Sequence, residues 1–435
     1  MAESTATLPE FEAPSFSEAF SVWAKIGLLS FGGPAAQIAL MHRIIVQEKR
    51  WMGERLYLSA LSFCMLLPGP EAMQLATYAG WRLHGTRGGL AAGLLFVLPG
   101  AFVILSLSAI YVAFGNLPLV VALFLGIKSA VLVIVIEALL RIGRRALKGA
   151  EHWAIAALGF VGIFFLALPF PLIVLAAAVW GFFRAVRNPA NPAEAIARPR
   201  LGMQTARTAI LWLAIWLVPL GALALLSGAD GILAQLGSFF SKLAVVTFGG
   251  AYAVLAYMSQ DVVVQHHWLE AGQMMDGLGL AETTPGPLIL VTEFVGFVAA
   301  WRNAGGGSWS VALLGAAVAL WATFAPCFLW IFTGAPYIEW ITRQARLRGA
   351  LDAITAAVVG VILNLAVWFA LHVFFAKVDA VREGPLILWT PDPASLDWRV
   401  VLLAAISAAL LLYRHWNMVA VLAVAAAGGL VLQYV

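Results

Sequence analysis

The sequence is short of charge. Only 11% of its 435 residues are Asp, Glu, Lys or Arg, against roughly 25% in a soluble domain. A soluble globule of this size has too few charges to cover its surface. Cysteine is scarcer: Cys64 and Cys327 both sit in apolar runs, which excludes a disulfide framework and a cysteine-rich metal site. Acid and base nearly balance, with 26 Lys and Arg against 22 Asp and Glu and a net charge of +4. That is no nucleic-acid footprint. His266-His267 has no second pair at a metal-binding spacing, so no metal site is expected. A phosphate-cradling Gly-x-x-x-x-Gly-Lys-Ser/Thr run is missing too, so no ATPase and no cofactor are expected. The composition also rules out disorder, collagen and coiled coil.

What is present is apolar: 62% hydrophobic residues and a mean hydropathy of +0.92. The bilayer is the solvent that fits. The expected fold is an all-α polytopic membrane protein. Apolar runs predict thirteen segments, at 16–40, 56–80, 88–113, 118–140, 153–168, 170–183, 208–228, 238–258, 273–300, 310–333, 349–373, 398–413 and 416–434. Residues 1–15 form a polar, acidic tail without the basic stretch of a cleaved leader. No appended catalytic domain is expected, so function is placed in the membrane core and the chain is not expected to be an enzyme.

Residues 184–207 are the one long polar stretch, with Arg184, Arg187, Arg198, Arg200 and Arg207. Excess Lys and Arg mark cytoplasmic loops, so this linker and the N-terminus are expected inside. Arg141, Arg144, Arg145 and Lys148 fall on the same side, as do Arg343, Arg346 and Arg348. Arg43, Lys49, Arg50 and Arg55 disagree if 16–40 crosses once. They agree if the chain dips in and returns, breaking at Gly32-Gly33-Pro34, with a second dip over 56–80 broken at Pro68-Gly69-Pro70. The charge tally favours the re-entrant version.

An internal repeat runs through the chain. Phe31-Gly32-Gly33 recurs as Phe248-Gly249-Gly250, and Pro68-Gly69-Pro70 recurs as Pro285-Gly286-Pro287 at the same offset. Lys25 with Lys242, Ser30 with Thr247 and Trp51 with Trp268 keep that offset, and it drifts slightly by Gly126 with Gly349. The reading is a first repeat over 16–183, the linker, an extra transmembrane helix at 208–228, and a second repeat over 233–435. One extra span between two six-segment units inverts the second. Inverted repeats with broken helices near the midplane are a secondary-transporter plan.

The breaks are where chemistry is expected. Gly-Gly weakens a helix, and Pro-Gly-Pro removes two backbone donors and disfavours helix before each proline. A helix restarting there presents N-terminal N–H groups that favour an anion, although a proline kink without a ligand gives the same pattern. Charged groups inside spans are functional candidates. Lys25 and Lys242 either balance an anion or snorkel to an interface, while Lys128 is deep enough to need a buried partner. Glu71 after Pro70 either suits the helix dipole or binds a proton beside the anion, and Glu282 and Glu293 are the other coupling candidates, with Asp276 ahead of them. Thr283 and Thr284 offer hydroxyls. Gln37, Gln74 and Asn364 are neutral polar groups equally suited to interhelical bonding. His42 and Arg43 either face solvent or recruit an anion.

Residues 27–43 (Gly-Leu-Leu-Ser-Phe-Gly-Gly-Pro-Ala-Ala-Gln-Ile-Ala-Leu-Met-His-Arg) resemble the chromate ion transporter family. So do Cys64–Tyr78, Thr247–Tyr252 and Asp276–Leu288. The resemblance covers nearly the whole chain and is to the long, two-domain members with halves in opposite orientation. It implies a bacterial inner-membrane exporter of chromate that confers resistance, with sulfate as the chemical look-alike and competitor. The expected cradle is Lys25, Phe31, Gly32, Gly33, Pro68, Gly69, Pro70, Glu71, Gln74, Lys242, Phe248, Gly249, Gly250, Thr283, Thr284, Pro285, Gly286 and Pro287. Uptake of sulfate or another oxyanion is the alternative. The partners are the anion and the lipid bilayer, with no nucleic acid; a homodimer is compatible with the composition.

Overall fold

The computed structural model describes residues 14–187, 202–246, 248, 251–342 and 344–433. The sequence's Thr247, Gly249, Gly250 and Arg343, and most of its polar linker, lie outside the described residues. Helix dominates, as an apolar chain in a bilayer requires, since a helix satisfies its backbone groups within one segment.

Helix α1 (Phe16–Leu29) starts where the Ser15 hydroxyl accepts from Glu18 N–H at 3.2 Å. It ends at Ser30, because Gly32 and Gly33 take φ of +85° and +78°, a turn that side chains resist. Helix α2 (Gly33–Met41) restarts on Pro34 and runs into a widened π turn at His42–Glu48. There Lys49 Nζ reaches Glu18 at 2.7 Å, so residue 49 lies beside the start of α1. The segment therefore goes in and comes back. Helix α3 (Glu54–Cys64) enters next and stops at Pro68-Gly69-Pro70, with Gly69 at φ +116°. Helix α4 (Glu71–Phe114) returns until His84, whose ring nitrogen sits 2.8 Å from the Pro14 carbonyl. Non-helical angles at His84 and Gly85 reset its direction. The first two segments are thus two re-entrant hairpins opening on one face, here the near face. The chain thus takes the re-entrant course that the charge tally favoured, not the one in which 16–40 and 56–80 each cross once.

Helices α5 (Pro118–Ala146), α6 (Ala150–Phe164) and α7 (Phe170–Arg187) follow. Helix α8 (Met203–Ser227) is an apolar rod with few buried residues. Beyond it the local backbone of the first hairpins recurs at the positions that the sequence motifs match. Phe31 N–H bonds the Leu29 carbonyl and Phe248 N–H bonds that of Val246. The Trp51–Ile45 bond is matched by Trp268–Val262. Arg50 and His267 have φ of +54° and +52°, and Gly286 repeats the left-handed turn of Gly69. Helices α9 (Ile232–Val246) and α10 (Ala251–Gln260) fold back on each other, with Phe239 against His266 and Trp268, both at 5.4 Å. Helices α11 (Ala271–Thr283) and α12 (Val291–Asn303) do the same, Arg302 returning to Glu270 at 3.4 Å. The expected single spans 238–258 and 273–300 are broken in the same way.

Helix α13 (Trp309–Gly334), the short α14 (Ile338–Thr342) and α15 (Ala345–Phe374) complete the long elements. Strands β1 (Val378–Glu383) and β2 (Leu386–Pro391) pair antiparallel, a hairpin that apolar-run counting did not foresee. It is mostly exposed and docks on the α6–α7 turn, Ile387 N–H bonding the Phe165 carbonyl at 2.7 Å. Helices α16 (Trp398–Ala408) and α17 (Met418–Leu432) end the described chain. Among the described residues, five helical stretches are long and apolar enough to cross a membrane: 71–114, 118–146, 203–227, 309–337 and 345–374. Shorter apolar helices lie at 150–164, 170–185, 232–246, 398–413 and 418–432, and several of the thirteen apolar runs are halves of hairpins.

The two parts of the chain exchange helices. Helix α7 packs on α15 through Gly181 and Gly349, and α17 packs on α5 through Gly429 and Gly126. A methyl on Gly126 would strike the Ala425 carbonyl, and one on Gly181 the Gly349 carbonyl. In lipid, small residues let backbones approach and dispersion hold them.

Candidate functional site

The hairpin tips meet in the interior. Gly286 N–H donates to the Ser30 carbonyl at 2.8 Å. The Gln37 amide nitrogen donates to the Gly286 carbonyl at 2.6 Å and to the Ser30 carbonyl at 3.3 Å. Each Pro-Gly-Pro also lies against a proline-bearing helix from the other part. Gly69 sits by Cys327, which follows Pro326 in α13; Gly286 sits by Gly100, which follows Pro99 in α4. Gln74 supports the first loop by donating to the Pro68 carbonyl at 2.6 Å.

Beside the tips a cavity of about 1310 Å³ opens. Its inner wall is made by starting turns of helices: Pro34 and Ala35 of α2, Glu71 of α4, and Ala251 and Tyr252 of α10. Helix N-termini carry unpaired N–H groups and the positive end of the macrodipole, so they favour an anion. Its outer wall carries Arg43, Arg141, Arg145, Lys148, Arg184 and Arg348, against Glu151 and Asp352. Three ion pairs thread this wall: Arg43–Glu48 at 3.5 Å, Arg184–Glu151 at 2.5 Å, and Arg141 with Glu137. Arg145 and Lys148 have no ion-pair partner among the described residues. The cavity thus holds an excess of positive charge and leads to helix starts, and it can concentrate an anion.

The sequence-expected residues divide three ways. Gly69 and Glu71 line the cavity, and Pro34, next to Gly32 and Gly33, lines it too. Pro68, Pro70 and Gln74 are buried behind that wall. Phe31 is exposed, on the outer side of the α1–α2 break. Pro285, Gly286 and Pro287 are buried in the tip contact and not in the cavity. Thr283 and Thr284 turn their hydroxyls to carbonyls of their own helix, Leu280 at 2.8 Å and Ala281 at 3.1 Å. Lys25 and Lys242 lie on exposed faces of α1 and α9, outside the cavity wall. Phe248 is half-buried and outside it too.

The carboxylates have distinct surroundings. Glu282 is buried and accepts from the Tyr252 hydroxyl at 2.9 Å. Glu293 is 1% exposed, and its Oε2 has no hydrogen-bond partner. Asp276 accepts from Tyr111 at 2.7 Å and pairs with Lys128 at 3.3 Å, the buried partner that the depth of Lys128 called for. Asn364 donates to Gln260 across helices at 3.4 Å.

Sequence reasoning used Arg141, Arg145, Lys148, Arg184 and Arg348 only as topology markers, and named Tyr252 only as the end of the Thr247–Tyr252 motif. Their grouping was hidden because the five basic residues come from α5, α7, α15 and the loop after α5. The available signal was that all were expected on one face.

A family model described as "Chromate transporter" matches residues 17–182 and 234–430. A chromate transport protein of Pseudomonas aeruginosa is 33% identical over 358 residues, covering 80% of this chain and 79% of that protein. A chromate transport protein of Cupriavidus metallidurans is 29% identical over 375 residues, covering 85% and 86%. A probable chromate transport protein of Synechococcus elongatus is 28% identical over 368 residues, covering 84% and 88%. No solved structure is a significant match.

Proposed function

The chain belongs to the chromate transporter family, and from that premise we propose that it exports chromate from the bacterial cytoplasm across the inner membrane and so confers resistance. The observation that carries this reading is the cavity whose basic outer wall leads to the helix starts at Pro34, Glu71 and Ala251. Chromate is a tetrahedral dianion. Arginine and lysine draw it in, and backbone N–H groups cradle it without a bound cofactor.

The near face is read as cytoplasmic, with the N-terminus inside. Support comes from Arg43, Arg141, Arg145, Lys148, Arg184 and Arg348, which share one cavity, and from the excess of Lys and Arg on cytoplasmic loops. The two halves are read as inverted repeats around α8. The recurring backbone turns and the reciprocal packing of Gly181–Gly349 and Gly429–Gly126 support this, as does the match of one family model to two regions. The cradle is read as the α2 start at Gly32-Gly33-Pro34, Gly69 and Glu71, with the α10 start facing them. Glu282 and Glu293 remain coupling candidates.

The charge of the dianion supports the outward direction. Two charges leaving a compartment held ~100 mV negative release about 4.6 kcal/mol, twice the single-charge value. That is roughly three decades of concentration ratio. The test is chromate accumulation in everted vesicles, with potential and pH gradient collapsed separately and sulfate as competitor. Saturable accumulation that falls with the potential and with added sulfate is expected. No saturable chromate flux, or faster flux of sulfate in the opposite direction, would sink the reading.

A further inference from the structure

Opposed hairpins enter a membrane protein in order to meet, and the contact where they meet either welds two halves together or closes a path. Here the contact is small and polar. It consists of the Ser30 carbonyl, both backbone polar groups of Gly286, and the side chain of Gln37. Gln37 is 1% exposed, and its Oε1 has no hydrogen-bond partner. Two hydrogen bonds cross between the tips, Gly286 N–H to the Ser30 carbonyl and the Gln37 amide to the Gly286 carbonyl. The net contribution of a hydrogen bond to stability is small, so a contact of this size opens at modest cost.

Position adds the second argument. Gln37 is on α2, one turn after Pro34 and Ala35, which line the cavity. The same short helix faces open space at its start and seals the Gly286 loop one turn later. Gly286 belongs to the α11–α12 hairpin, which follows α8 and returns on itself through the Arg302–Glu270 pair. Ser30, Gln37 and Gly286 do not line the cavity, so the contact lies behind its wall, between the cavity and the α11–α12 hairpin; the side of the contact away from the cavity is here the far side.

We propose that Gln37 is a positioning residue of the transport cycle: by bridging Ser30 and Gly286 it holds the far side shut while the basic cavity is open, and it releases Gly286 when the anion leaves. The alternative of a static crosslink predicts that loosening Gln37 loosens the protein as a whole.

The two roles separate by thiol labelling in the full-length protein, with Cys64 and Cys327 replaced by Ala. Thr284→Cys reports on the side of the contact away from the cavity, since Thr284 is buried next to Pro285 and does not line the cavity. Ala35→Cys reports on the cavity, which Ala35 lines. A membrane-impermeant maleimide is applied from each side. Gln37→Met keeps the length and removes the donor. Gln37→Glu, the second variant, turns the donor into an acceptor facing two carbonyls. Both are expected to raise far-side labelling at Thr284→Cys about tenfold, the scale of one or two lost hydrogen bonds, with no rise at Ala35→Cys. Unchanged labelling at Thr284→Cys in both variants, or a parallel rise at both reporters, overturns the proposal. The inference rests on the transporter reading, but labelling needs no flux, so its failure leaves the chromate reading untouched and the reverse also holds.

Discussion

Neutralising Arg145 and Lys148 together tests whether the cavity works as an electrostatic collector. Both line it, and neither has an ion-pair partner among the described residues, so Arg145→Gln with Lys148→Gln removes two charges without stranding a carboxylate. Arg184 would be a poor choice, since its loss frees Glu151, 2.5 Å away. In a water-filled cavity a unit charge at roughly 10 Å attracts a dianion by about 0.8 kcal/mol. Screening over one Debye length leaves about 0.3 kcal/mol. The pair then contributes ~0.6 kcal/mol, which raises KM for chromate about threefold and leaves kcat alone. The assay is initial chromate flux into everted vesicles at ~0.1 M and ~1 M salt. The difference between variant and wild type is expected to close at the higher salt, where the Debye length is about 3 Å. A fall in kcat at constant KM, or a KM change indifferent to salt, would refute the collector.

Four further outcomes follow from the geometry. Lys25→Ala with Lys242→Ala is expected to keep chromate protection in cells, because both lysines lie outside the cavity wall; loss of protection with normal protein level would return them to the cradle. Gly69→Ala is expected to abolish flux, since φ is +116° and a Cβ would lie 2.8 Å from Gln74 Nε2 and 3.1 Å from Cys327 Sγ; wild-type flux would remove that loop from the site. Lys128→Met strands the buried Asp276 carboxylate and should cost about 3–5 kcal/mol. Adding Asp276→Asn should recover most of that loss in thermal unfolding in detergent, and no recovery would mean the pair is not coupled. Gly126→Leu and Gly349→Leu should each lower the yield of folded protein in detergent, since each glycine receives an exchanged helix at backbone distance; tolerance of either would argue against matched packing.

Much of the plan was legible because a bilayer leaves few solutions. Apolar composition pointed to the helical class, and glycine and proline marked where helices stop. Matched motifs located the recurring hairpins, since the φ values at Gly69 and Gly286 are ones only glycine adopts without strain. Lys128 advertised a buried partner by its depth. The site was less legible. A charge near a break in the sequence is not a charge near it in space, and a helical residue points its side chain according to its place in the turn. Lys25 falls on the exposed face of α1 for that reason, although it precedes Phe31 closely in the sequence. The β-hairpin at 378–391 lay in a polar gap between apolar runs, where counting runs carries no signal.

The helical membrane class, the recurring broken helices and the residues that break them could all be read from the order of residues alone. These follow from local physics: the cost of charge and of unpaired backbone in lipid, and the conformational limits of glycine and proline. Packing in three dimensions was needed to bring the basic residues of α5, α7 and α15 to one cavity with Arg43, and to set one Pro-Gly-Pro at that cavity while the other is sealed by Ser30 and Gln37. Those outcomes depend on which surfaces of distant helices meet, and exchange packing through glycine brings together segments from the two halves of the sequence, such as Gly181 with Gly349 and Gly126 with Gly429.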